Sequence, residues 1–305
     1  MKFKYKNKNS LRVDKMLAER LEDRSRSQIK KVIKKGFVKI NGSIVKKPSY
    51  SVKYRDIIEI SFPKEKETTL KPEKLDIEIV YEDKYIAIVN KPAGMLVHPT
   101  KNKKEGTLAN ALLYHFNKLS EINEIRPGIV HRIDKNTSGL LIVAKNNKAH
   151  RKISSMIQRK DIERKYWALL KGNLKKPTGE IIAPIGRNKS NRTKMDVVLE
   201  GKHAHTKYRI VEKYKNYTLA EFSLTTGRTH QIRVHASFIG TPVLGDVKYG
   251  GTITDKRFKF VKRQLLHSKI LSFQHPYLDK KIDIEISVPE DFQKVLDKLK
   301  SGNYS

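Results

Sequence analysis

Apolar residues first recur at helical spacing, as Leu11, Val13, Met16, Leu17 and Leu21. A second such run, Gln28 to Lys35, puts Ile29, Val32 and Ile33 on one side, with Ser25 or Ser27 placed to cap it and Gly36 to end it in a left-handed turn. The period then shortens to two. Phe37-Val38-Lys39-Ile40 and Ser43-Ile44-Val45 flank Asn41-Gly42, a pair suited to a tight hairpin, and Asp56 to Ile60 reads as a closing strand. The pattern predicts two short helices and a small sheet over residues 1–62, behind a basic tail. Residues 63–74 hold two prolines and Lys/Glu alternation without an apolar period, so a linker is expected there. Residues 75–305 are left as a second domain.

That domain opens with strands at Ile77 to Val80 and Tyr85 to Val89, and Asn90-Lys91-Pro92-Ala93-Gly94 breaks the second. Thr107 is placed to cap a helix bearing Leu108, Ala111 and Leu112. Ile129-Val130 and Leu140 to Val143 read as two strands around a polar loop. Asn146 or Asn147 can cap a helix with Ile153, Met156 and Ile157 at core spacing and a basic outer side. Arg164 to Leu170 follows as a strand whose alternation sends Tyr166 and Trp167 to opposite faces. Residues 185–205 read as a basic surface excursion, and Tyr217 to Leu224 as a strand. Thr226 is a fair N-cap for a helix carrying Ile232, Ala236 and Ile239 and ending at Gly240. Leu265 to Phe273 and Ile282 to Ile286 are further strands, and Ser287 to Glu290 has capping-box spacing ahead of a last helix.

Charge narrows the partner. Lys and Arg number 65 against 32 Asp and Glu, a net charge of +33, which asks for a polyanion: nucleic acid or an anionic surface. Acidic residues do not rise in step, as ion-pair networks would require. No apolar run has the length of a membrane span, and no signal-peptide core follows Met1. The 305-residue chain has no cysteine, which removes thiolate metal sites and fits the cytoplasm. His203 and His205 have no nearby carboxylate in sequence to complete a metal site, so none is expected.

Candidate chemistry gathers in a few places. In His131-Arg132-Ile133-Asp134-Lys135-Asn136-Thr137-Ser138-Gly139, one carboxylate sits at a strand end beside hydroxyls and a glycine, a fit for placing a charge at a cleft. In Thr225-Thr226-Gly227-Arg228-Thr229-His230-Gln231-Ile232-Arg233, Arg228 is expected at a helix's leading end. A cation there opposes the helix dipole unless an anion is held beside it.

Written out, Arg126 to Lys145 resembles the signature of the RluA-type pseudouridine synthases, His-Arg-Leu-Asp followed by Thr-Ser-Gly-Leu-Leu, with Ile133 in place of the leucine. Val89-Asn90-Lys91-Pro92-Ala93-Gly94-Met95-Leu96-Val97-His98-Pro99, the segment around Arg228, and Leu244-Gly245-Asp246 resemble further motifs of that family, over about residues 75–290. Leu11 to Gly42 resembles the small RNA-binding module named after ribosomal small-subunit protein four. The resemblance implies an α+β fold: a mixed, largely antiparallel sheet catalytic domain with flanking helices and a central cleft, plus a small N-terminal helix-helix-hairpin RNA-binding module. It implies isomerisation of uridine to pseudouridine in RNA, most readily large-subunit ribosomal RNA, without cofactor or membrane, and nothing in the sequence demands more than a monomer. Asp134 is then catalytic, Arg228 pairs with it, and Tyr166 stacks on the base. Arg132 fills the space that the flipped uridine leaves, and His131, Thr137, Ser138 and Gly139 lie on the substrate's side. Arg24, Arg26, Lys30, Lys31 and Lys34 contact phosphates, which positions RNA without reading its sequence. Attack by Asp134 at C1′ and removal of the C2′ proton are both open. A non-catalytic RNA binder explains the charge equally well but gains nothing from a carboxylate aimed at phosphates. A DNA-binding regulator comes third, since the pattern has no helix-turn-helix with a clear recognition face.

Overall fold

The computed structural model describes residues 1–21, 26–62, 70–100, 102–123 and 125–301. Arg24, Ser25, the Ser27 side chain and residues 63–69 of the expected linker lie outside the described residues. The chain divides into two compact units, Met1–Thr69 and Leu70–Ser305.

The first unit runs β1 (Lys2–Lys4), β2 (Leu11–Arg12), α1 (Val13–Arg20), α2 (Arg26–Lys34), β3 (Val38–Ile40), β4 (Ser43–Ile44), β5 (Ser51–Val52) and β6 (Ile57–Ile60). Leu11 leaves the expected helix because Leu11–Arg12 pairs with Ser51–Val52. Asn41 and Gly42 take φ of 50° and 81°, the left-handed pair that a tight hairpin twist demands. The apolar side of α2, Ile29 and Ile33, closes a core with Leu17, Val38, Ile40 and Ile58.

In the second unit come β7 (Glu78–Glu82), β8 (Ile86–Lys91), α3 (Leu108–His115), β9 (Ser138–Ala144), α4 (Asn147–Arg159), β10 (Glu163–Lys171), β11 (Thr178–Ile182) and β12 (Ile185–Arg187). β13 (Met195–Val197), β14 (His205–Lys213), β15 (Tyr217–Leu224), α5 (Gln231–Phe238), β16 (Leu266–Gln274), β17 (Lys281–Glu285) and α6 (Glu290–Lys300) complete it. One nine-stranded sheet has the order β11-β14-β15-β10-β16-β9-β8-β7, with β17 also on β16. Its pairings are antiparallel except β16 on β9, which is parallel. The fold is thus mixed α and β with largely antiparallel sheets. Among the described residues no helix is long and apolar enough to cross a membrane.

Alternation along the strands feeds a core on each face. Ala87, Val89, Leu141, Val143, Tyr166, Ala168 and Phe222 pack with Leu108 and Leu112 of α3 and Ile232 and Ala236 of α5. Ile86, Ile88, Leu140 and Ile142 pack with Ile153 and Met156 of α4. Leu169 and Leu219 meet Phe292 and Leu296 of α6. Burying one leucine-sized side chain stabilises by about 1.5–3 kcal/mol.

Four expectations are corrected. Ile129 forms only an isolated bridge to Val143, because the chain turns through the polar loop before a ladder can extend. Residues 70–74 are no free tether: Leu70 is buried in the core, and Glu73 accepts the Gly106 N–H at 3.0 Å. The 185–205 excursion contains the β12–β13 hairpin, whose Ile185, Met195 and Val197 pack on Val234 and Tyr249. The last helix starts after Pro289 without a side-chain cap.

Candidate active site

Asp134 stands in the loop ahead of β9. Its neighbour Ile133 is buried in the core, which anchors the loop while the Asp134 carboxylate keeps 17% of its surface. The loop is held from behind by backbone contacts. Lys91, fully buried at the end of β8, donates from Nζ to the carbonyls of Pro92 (2.6 Å), Met95 (2.9 Å) and Lys135 (3.0 Å). Burial, reinforced by the Arg263 charge and opposed by Asp134, pulls the Lys91 pKa down to about 7. Three carbonyl acceptors favour its charged form. Arg263 Nη1 donates to the Asn136 carbonyl at 3.2 Å.

The arginine that meets Asp134 is Arg233. Its Nη1 donates to Asp134 Oδ2 at 2.8 Å. Its Nε and Nη2 fork onto Asp246 Oδ2 and Oδ1 at 2.7 and 2.9 Å. Burial alone would favour deprotonation of Arg233, but the bonds to Asp246 and the two carboxylate charges outweigh it and raise its pKa. Arg228, expected in this role, is exposed; its Nε donates to the His203 carbonyl at 2.9 Å. The cause is the start of α5. The Thr226 hydroxyl donates to Gln231 Oε1 instead of capping, and the helix begins at Gln231 after a left-handed His230. The dipole argument therefore falls on Arg233, in the first turn, where an anion is indeed held.

His230 brings Nε2 to 3.8 Å from Asp134 Oδ1, and its Nδ1 lies 2.7 Å from the Tyr249 hydroxyl. Tyr166 is 4% exposed, and burial pushes its phenol pKa up. With Arg132, Asp134, Thr137, Arg228, His230 and Arg233 it lines one pocket. Trp167 faces the other side of the sheet, with Lys269 Nζ 4.5 Å over its ring. The pocket holds about 60 Å³, room for a few waters. The exposed Arg132 is part of its wall and approaches His98 Nε2 at 3.4 Å. Burial, with the charges of Arg126 and Arg132, pulls the His98 pKa down to about 4.

Three expected substrate-side residues serve the scaffold instead. His131 Nε2 accepts the Ile142 N–H at 2.9 Å, and burial pulls its pKa to about 3. Ser138 Oγ lies 2.9 Å from His267 Nδ1. At Gly139, φ is +111° and an added Cβ would stand 2.2 Å from the Ser268 carbonyl oxygen, so only glycine lets β9 pass β16. All three are drawn off the pocket by the same strand. His205 has a carboxylate partner unseen in the sequence, Glu180 Oε2 at 3.0 Å across β11 and β14, which Lys207 shares. Among the described residues no cluster of three or more His, Cys, Asp or Glu could hold a metal ion.

In the first unit, Arg12 Nε and Arg26 Nη2 each donate to the buried Asp14 at 3.0 Å, and Lys30 stands 3.9 Å from it. Arg26 and Lys30 are thereby partly neutralised, while Lys31 and Lys34 are exposed. Arg24 lies outside the described residues.

Sequence reasoning missed Arg233, Asp246, Lys91 and His230 as parts of this arrangement. Asp246 and Lys91 had signals: an acid next to a glycine turn, and a lysine closing an apolar strand.

The chain belongs to the family of RNA pseudouridylate synthases, whose profile matches residues 85–238. It is an RNA pseudouridine synthase, an isomerase, and a profile of the S4 domain matches residues 11–58. It is 42% identical over 294 residues to an uncharacterized RNA pseudouridine synthase of Bacillus subtilis, covering 96% of this chain and 95% of that one. It is 40% identical over 303 residues to the ribosomal large subunit pseudouridine synthase D of Zymomonas mobilis, covering 96% and 95%. Among solved structures, human RNA pseudouridylate synthase domain containing 4 shares the fold at a TM-score of 0.58 and 24% identity, over 73% of this chain and 93% of that one.

Proposed function

We propose that this chain converts uridines of large-subunit ribosomal RNA to pseudouridine, with Asp134 as the reacting carboxylate. Relatives named ribosomal large subunit pseudouridine synthase D, about 40% identical over nearly the whole chain, support the substrate. The observation that carries the chemistry is the 2.8 Å contact between Arg233 and Asp134 in a pocket walled by Tyr166. Oδ2 is held by the guanidinium, while Oδ1, which keeps a lone pair to spare beside any single donor, faces the ribose.

The target uridine leaves its stack, at a few kcal/mol, least from loops and bulges. Arg132, exposed at the pocket's edge, swings out to admit it and fills the gap in the RNA. Asp134 attacks C1′ or removes the C2′ proton; either way the bond from C1′ to N1 breaks. The uracil turns against the Tyr166 ring, and C1′ bonds to C5 as the bond to Asp134 breaks or, on the other route, as the C2′ proton is returned; the C5 proton then departs and N1 gains one. Residues 1–62 grip RNA backbone through Lys31, Lys34 and the Arg26–Lys30 edge, and 75–305 carry the reaction. A cysteine-free sequence supports a cytoplasmic setting.

Asp134→Asn is expected to bind ribosomal RNA like the parent and to release no tritium from C5-labelled uridine. Label release at the parental rate would refute the assignment. Pseudouridine mapping on ribosomal RNA tests the substrate.

A further inference from the structure

We infer that His230 is a second positioning residue for Asp134, its ring held by Tyr249 in the form that presents an Nε2–H to Oδ1, the oxygen Arg233 leaves free. The inference rests on the reading of Asp134 as the reacting group. It starts from the Tyr249 hydroxyl. That oxygen accepts the Met195 N–H at 3.0 Å and lies 2.7 Å from His230 Nδ1. With an acceptor role taken by the backbone, its single hydrogen is free to point to Nδ1. A neutral ring that accepts at Nδ1 carries its proton on Nε2, and Nε2 is the atom facing Asp134 at 3.8 Å.

Two further features fit. His230 sits at φ 57°, a left-handed conformation that histidine adopts more readily than most residues but that still needs outside support. Relaxing it would carry the ring off the carboxylate. The groups facing it are Asp134, Arg233, Lys248, Asp246 and Tyr249. Burial holds its pKa below the usual histidine value, with Arg233 and Lys248 reinforcing and Asp134 and Asp246 opposing. At 3.8 Å the pair is longer than a hydrogen bond; contacts of this kind tighten when substrate closes the site.

The ring's protonated nitrogen is read by ¹⁵N NMR of the full-length, histidine-labelled protein at neutral pH. An Nε2–H signal is expected for His230, and an Nδ1–H signal would overturn the proposal. In single-turnover assays on ribosomal RNA, His230→Ala should lose rate roughly 10- to 100-fold, the worth of one hydrogen bond to a charged group, with RNA affinity held. His230→Gln, whose amide N–H reaches the same place, should recover most of that loss. Tyr249→Phe frees Nδ1, so a new ionisation should enter the pH profile of the rate from the acid side. Parental rates for His230→Ala, no rescue by glutamine, or an unchanged profile for Tyr249→Phe would each count against it. If Asp134→Asn itself releases label, the parent reading fails, while the tautomer still stands or falls by NMR.

Discussion

Asp246→Asn tests whether the site is a chain of three groups or a pair with a bystander. Arg233 and Asp246 keep only 8% and 1% of their side-chain surface, so solvent cannot replace a lost partner. Asparagine has nearly the same shape, but its amide would turn an N–H₂ toward a guanidinium that offers only donors. One bond of the fork survives at most, and the arginine is left half-paired. Removing one member of a buried ion pair destabilises by about 3–5 kcal/mol, a large part of the roughly 5–15 kcal/mol that holds a domain folded. The effect on rate is separate. Released from Asp246, the guanidinium tilts its fork toward Asp134 and covers the oxygen meant for the ribose, so turnover should fall about 10²- to 10³-fold, as for a lost oriented donor. Urea unfolding reads the first effect, and tritium release from C5-labelled RNA in folded protein reads the second. A variant that loses less than about 1 kcal/mol and turns over like the parent would refute the three-group chain.

Further tests follow from the same geometry. Arg233→Lys should be crippled, since an ammonium cannot hold two carboxylates with one planar fork, whereas Arg228→Lys should keep its single-turnover rate; the opposite order in the tritium assay would restore Arg228 to the centre. Gly139→Ala would set a methyl 2.2 Å from the Ser268 oxygen at φ +111° and should cost about 3 kcal/mol or more; a loss under half that in urea would mean β9 and β16 part easily. Acid should weaken the fold through His98 and His131, whose folded pKa values are about 4 and about 3. The unfolded chain takes up these protons near pH 6.5, so this stability is complete above that pH and lost as pH falls toward the folded values. At pH 5 each histidine accounts for about 2 kcal/mol. Equal urea midpoints at pH 7.5 and 5 would contradict their burial as neutral rings.

The strands were legible because successive side chains leave on opposite faces, and where both faces are covered the run is apolar throughout, as in Leu140 to Val143. Tyr166 and Trp167 parted to opposite faces as alternation requires, and Asn41-Gly42 turned with both φ positive. Helix starts were legible only where a side chain does the capping. Asn146 accepts from the Ala149 N–H at 2.9 Å, but α5 begins at a left-handed histidine that no capping rule selects. That slip moved the expected partner of Asp134 from Arg233 to Arg228. Lys91 and Asp246 carried local signals in the sequence, but their roles did not show there, for another reason. Their roles are set by the carbonyls and guanidinium that tertiary contacts bring to them, Lys135 lying 44 positions from Lys91 along the chain.

The single parallel seam in the large sheet aligns Ser138 with His267 and Gly139 with Ser268. Arg263 then reaches back across 127 positions to the Asn136 carbonyl. A ribosome making this protein therefore finishes nearly nine-tenths of the chain before the aspartate's loop gains its last supports. Closing so long a span is slow compared with local pairing. A chain cut ahead of Arg263 lacks both supports and is expected to release no tritium from C5-labelled RNA.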